Sequence, residues 1–111
     1  MKLVARVPRA TLEAEKMVRV DYPPFDVVVA LVDGRPLAIE DACNHAGASL
    51  AEGGIEGDRI MCPMHGYVFS MRTGALLAPE GLCGPQRTFR VVEEAGEVVV
   101  YDDVPIVVLG T

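Results

Sequence analysis

No long hydrophobic run is present. The longest charge-free apolar stretch without proline is Val27 to Val32, far short of the roughly 20 residues that a membrane helix needs. Lys2 and Arg6 enclose only Leu3, Val4 and Ala5, so neither a hydrophobic signal segment nor a twin-arginine pattern is expected, and a cytoplasmic protein is. Basic residues are scarce past the start: residues 1–20 hold five basic and two acidic groups, residues 21–111 five basic and fourteen acidic. With a net charge of −6, the chain repels phosphate backbones, which argues against a nucleic-acid partner. Cysteine and histidine are scarcer still, three and two in 111 residues.

Those few residues are concentrated. Cys43-Asn44-His45 is followed, after sixteen residues, by Cys62-Pro63-Met64-His65, and the chain has no other histidine. Two sulfur and two nitrogen donors suit zinc or an iron–sulfur cluster. A Cys2His2 zinc finger groups its cysteines in one knuckle and its histidines on one helical turn, whereas here the order is Cys, His, Cys, His. Two loops carrying one of each can place both thiolates on one iron and both imidazoles on the other, the ligation of a Rieske [2Fe–2S] centre. Assigning Cys43 and Cys62 to metal leaves Cys83 alone, so no intramolecular disulfide forms without dismantling the site, which fits a reducing compartment.

The surrounding residues carry a resemblance. Cys43 to Leu50 (CNHAGASL), Cys62 to Phe69 (CPMHGYVF) and the turn Thr73-Gly74 resemble the two cluster-binding boxes of the Rieske family, most closely those of small soluble Rieske-type ferredoxins of oxygenase systems. The resemblance implies a single Rieske [2Fe–2S] domain over residues 1–111, all-β, built as an antiparallel β-sandwich with a small cluster-binding subdomain of two loops. It implies one cluster ligated by Cys43, His45, Cys62 and His65. Respiratory-complex members carry an additional disulfide-linked cysteine in each box, and Ala48 and Met64 stand at those positions here.

The implied role is one-electron transfer from a flavin-dependent reductase to a terminal oxygenase, with no catalytic site in this chain. A small subunit of a nitrite reductase is the alternative, and a structural zinc module a third. The Rieske domain of an oxygenase would need a mononuclear iron with two further histidines, which the chain lacks. Two thiolates cancel the charge of the oxidised iron–sulfide core and neutral imidazoles add none, so reduction is easier than in an all-cysteine cluster. Potentials accordingly rise from about −400 mV into a range of roughly −150 to +300 mV. High-potential relatives place a serine and a tyrosine, both donating to the cluster, where this chain has Tyr67 and Phe69. The low end, near about −150 mV, is therefore expected. The outward ring nitrogens of His45 and His65 are expected to lie on the electron path and to couple potential weakly to pH.

Turn residues divide the remainder into short strands. Strands are predicted at Leu3–Val7, Met17–Val20, Val27–Val32, Pro36–Ile39, Ile55, Arg59–Met61, Tyr67–Phe69, Thr88–Val92 and Val98–Tyr101. Asp33-Gly34, Gly57-Asp58, Thr73-Gly74 and Ala95-Gly96 separate strands, Tyr22-Pro23-Pro24-Phe25 forms a turn, and one helical turn is expected between Thr11 and Met17, capped by Thr11. Between Glu40 and His65 the acidic residues Glu40, Asp41, Glu52, Glu56 and Asp58 face only Arg59. They read either as ordinary solvated surface or as a patch that steers a basic partner. A monomer is expected; the apolar tail from Val104 to Leu109 reads as an extra strand or pad, with a dimer contact as the alternative.

Overall fold

A computed structural model describes residues 2–23, 26–43, 48–64, 66–78 and 84–102. His45, His65, Cys83, part of the Tyr22–Phe25 turn and the apolar tail lie outside the described residues. The chain runs β1 (Lys2–Pro8), α1 (Arg9–Glu15), β2 (Met17–Val20), β3 (Val27–Val32), β4 (Arg35–Glu40), a 3-10 turn (Leu50–Glu52), β5 (Gly54–Glu56), β6 (Arg59–Met61), β7 (Val68–Ser70), β8 (Leu76–Ala78), β9 (Thr88–Glu94) and β10 (Glu97–Asp102). Among the described residues all of the strand pairings are antiparallel. No described helix is long and apolar enough to cross a membrane.

Two sheets result, ordered β1-β10-β9-β4-β3-β2 and β5-β6-β7-β8. Two-residue turns with positive φ at both positions, Asp33-Gly34 (53° and 77°) and Ala95-Gly96 (50° and 80°), close the β3–β4 and β9–β10 hairpins. Their twist matches that of the strands they join. Strand β9 belongs to both halves of the larger sheet: Thr88 and Phe89 pair with Ile39 and Ala38, while Arg90 to Glu94 pair with β10.

Val27–Val32 is the central layer, and its composition explains why. A strand with one wet face alternates, but this one is apolar at every position because both of its faces are covered. Val27, Val29 and Ala38 pack with Val7, Leu12, Phe89, Val98 and Val100. On the other face Val28, Ala30, Val32 and Ile39 pack with Leu50, Ile60, Phe69, Met71 and the two cysteines Cys43 and Cys62. Each fully buried aliphatic side chain contributes about 1.5–3 kcal/mol, against roughly 0–1 for an exposed ion pair, so these two clusters dominate the stability of the fold.

The helix begins three residues earlier than the Thr11 cap predicted. Pro8 at the N-cap makes no side-chain cap bond; instead the Arg9 amide donates to the Gly96 carbonyl at 3.0 Å, and the Arg9 guanidinium pairs with Glu93 and reaches the Gly34 carbonyl at 2.8 Å. Contacts with distant residues thus set the boundary. Leu12, fully buried, plugs the core beneath β3 and β10.

Candidate metal centre

Both predicted cysteine ligands stand at the same point of two similarly built loops. After β4, Ala42 bridges to Ser49, and the Cys43 amide donates to the Ala48 carbonyl at 2.8 Å. After β6, the Cys62 amide donates to the Tyr67 carbonyl at 2.7 Å. Each bond closes a loop five residues on from its cysteine, and the predicted histidine falls inside that loop in both cases, at 45 and 65. The second loop is tightened by the Gly66 amide, 3.0 Å from the Cys62 carbonyl, with φ of 70° at Gly66, a conformation that favours glycine.

Cys43 and Cys62 are 1% and 0% exposed and belong to one apolar cluster with Leu50, Ile60, Tyr67 and Phe69. Buried sulfurs in an apolar setting are the donor type that a soft metal centre takes, and such surroundings limit solvent access to them. Phe69 is fully buried and offers no hydroxyl, and Tyr67 belongs to the same cluster. A cavity of about 320 Å³ is lined by Gly54, Ile55, Glu56, Arg59, Ile60, Met61 and Val68, with no cysteine among them.

Supporting contacts hold each loop. Asp41, just before the first box, is 2% exposed: its Oδ1 accepts from the Ala51 amide at 2.9 Å, its carbonyl from the Leu50 amide at 2.9 Å, and its Oδ2 lies 3.5 Å from Arg19 Nε. Arg19 also donates to Asp26 at 2.8 Å. That bond, helped by the Tyr22 amide, holds the Asp26 carboxyl below the usual carboxylate range; Asp26 first and then the charge of Asp41 raise Arg19. After the second box, Ser70 Oγ accepts from the amides of Arg72 and Thr73 at 3.1 and 3.2 Å, and Arg72 spans Asp58 and Asp33 at 3.2 and 2.9 Å. The small sheet is thereby tied to the β3–β4 turn.

These contacts correct the acidic-patch expectation. Asp41 is a buried structural carboxylate facing Arg19, and Asp58 is paired with Arg72, so two of the five acidic residues are internally engaged. Two glycines serve the geometry around the cysteines, Gly53 through its close approach to the Met61 carbonyl and Gly66 through its positive φ. Sequence reasoning missed Gln86, which is 2% exposed and donates through Nε2 to the Glu40 and Ala42 carbonyls at 2.9 and 2.8 Å. Its partners lie more than forty positions away in the chain, and no local pattern marks it.

The family model of the Rieske [2Fe-2S] domain matches residues 3–90. The ferredoxin component of biphenyl 2,3-dioxygenase from Rhodococcus jostii (strain RHA1) is 38% identical over 85 residues, covering 77% of this chain and 78% of that protein. Among solved structures, the ferredoxin of carbazole 1,9a-dioxygenase from Nocardioides aromaticivorans IC177 superposes with a TM-score of 0.80 at 28% identity, covering 91% of this chain and 98% of that one. A chain from a complex of reduced oxygenase and oxidised ferredoxin in carbazole 1,9a-dioxygenase superposes with a TM-score of 0.70 at 37% identity, covering 77% and 87%.

Proposed function

The chain belongs to the Rieske [2Fe–2S] family, and on that premise we propose that it is a one-electron carrier, the ferredoxin component of a multicomponent oxygenase system. In this reading Cys43 and Cys62 hold one iron of a single [2Fe–2S] cluster, and His45 and His65 hold the other. The observation that carries it is the pair of matching loop closures that bury Cys43 and Cys62 in one apolar cluster. When bound, such a cluster supplies reversible one-electron chemistry. The two thiolates would cancel the charge of the oxidised iron–sulfide core, the imidazoles would add none, and the ring nitrogen of each histidine left free of iron could hold or release a proton. Phe69 and Tyr67, with Leu50 and Ile60, keep the cysteine side dry.

The partners are a terminal oxygenase, which takes the electron, and a flavin-dependent reductase, which supplies it. The oxygenase is supported by the solved complex of an oxygenase with a ferredoxin 37% identical to this chain. We place the protein in the cytoplasm, where a reducing environment suits thiolate ligands. Freshly purified protein should be red-brown, with two irons and two sulfides per chain, and dithionite should produce an electron paramagnetic resonance signal averaging well below the free-electron g value. A colourless protein holding stoichiometric zinc would sink the reading. Stopped-flow reduction by a flavin-dependent reductase, followed by reoxidation on mixing with a terminal oxygenase, tests the partner assignment.

A further inference from the structure

Gln86 stands between the two ligand loops and touches the supports of both. Both acceptors of its side chain are backbone carbonyls, Glu40 at 2.9 Å and Ala42 at 2.8 Å, so its amide must present nitrogen to them, and both N–H groups are used. These carbonyls belong to the last three residues before Cys43. On the other side, the Gln86 amide donates to the Gly74 carbonyl at 2.7 Å. The approach is close enough that a Cβ on Gly74 would stand 2.0 Å from the Gln86 carbonyl oxygen. Gly74 closes the turn after β7, its own amide donating to the Ser70 carbonyl at 2.8 Å, and β7 is the strand that leaves the second loop.

We propose that Gln86 is a positioning residue for the metal centre: it sets the Cys43 loop in register with the Cys62 loop, so that both sulfurs are presented to one iron before the metal arrives. The proposal rests on the cluster ligation put forward above. Without the Gln86 side chain, the carbonyls of Glu40 and Ala42 lose a shared donor at the point where the first loop leaves the sheet. The loop then loosens without a loss of core packing on the scale of a cavity mutant, because Gln86 belongs to neither hydrophobic cluster. The effect is local: it shows in metal retention and in the electronic structure of the site rather than in the stability of the whole protein.

The experiment compares holoprotein variants in loss of visible absorption after dithionite reduction in excess ferrous chelator, and in the line shape of the reduced paramagnetic signal. Gln86→Leu keeps the size of the side chain and removes both donors. Two hydrogen bonds of ordinary net strength predict release accelerated about tenfold to thirtyfold, with a broadened signal. Leu12→Ala, buried in the cluster away from the cysteines, is the control: it lowers the unfolding midpoint at least as much but leaves release and signal at the wild-type values. Gln86→Asn, with its donor drawn back by one methylene, gives a smaller acceleration and serves if Gln86→Leu does not fold. Release at the wild-type rate in a folded Gln86 variant, or equal acceleration by Leu12→Ala, overturns the positioning role and leaves the cluster assignment standing. A wild-type chain that binds no iron overturns both.

Discussion

Gly53 passes so close to Met61 that a Cβ on the glycine would stand 1.9 Å from the Met61 carbonyl oxygen. Its φ of −91° is open to any residue, so glycine is required here by space alone. The contact brings the end of the 3-10 turn that follows the first loop against the last residue before Cys62. Gly53→Ala must push backbone from backbone and should cost on the order of 3 kcal/mol. Gly54→Ala, where a Cβ meets nothing within 4 Å, should be close to neutral. Urea unfolding midpoints of the two variants test this, and equal midpoints would exclude the steric account.

The redox potential is expected to be low because a hydroxyl is missing at Phe69. The side chain is fully buried in the cluster that holds both cysteines, with its strand partner Ile60. The wild-type midpoint should therefore lie near about −150 mV. Phe69→Tyr supplies a donor from the same backbone position. One hydrogen bond strengthened by about 1 kcal/mol on reduction corresponds to a rise of about 40 mV. Protein-film voltammetry reads both values, and a wild-type midpoint well above zero would remove the argument from Phe69.

Stability and redox chemistry should separate along the two faces of β3. Leu12 fills the face opposite the cysteines and has no polar role. Leu12→Ala should lower stability by about 2–5 kcal/mol while leaving the midpoint potential unchanged. Calorimetry and voltammetry on the same holoprotein check the pair of outcomes, and a shifted potential would mean that the two clusters are mechanically coupled.

How much of this was legible depended on the range of the interaction responsible. Asp33-Gly34 and Ala95-Gly96 announced their hairpins because their conformation is set within two residues. Val27 to Val32 announced a strand through its β-branched run, and the lack of alternation carried the further message that both faces are covered. The candidate metal ligands stood out because the Cys and His spacing is itself what such chemistry would require. Other features were settled at a distance. The start of α1 depends on Gly96 and Glu93, and β8 is defined by its irregular pairing with β7. Asp41 looked like a surface charge until Arg19 and the Ala51 amide surrounded it, and Gln86 acquires its role from carbonyls over forty residues away.

The alkaline limit of the fold should be set in part at the end of the larger sheet from which β4 leads to Cys43, where Tyr22 donates its hydroxyl to Asp102 and Arg87 pairs with the other oxygen of the same carboxylate. The hydrogen bond to Asp102, then burial and the charge of Asp102, raise the Tyr22 hydroxyl above its ordinary value, with Arg87 opposing. The folded state thus keeps this proton to higher pH than the unfolded chain does. Its stabilising contribution is complete below the ordinary tyrosine value of about 10 and is lost as pH rises through the higher folded value. Tyr22→Phe never has this contribution. Urea midpoints of Tyr22→Phe should fall below wild type at pH 8 and converge with it as pH rises past about 10. A gap that stays constant across that range would show that the Tyr22 proton is not linked to folding.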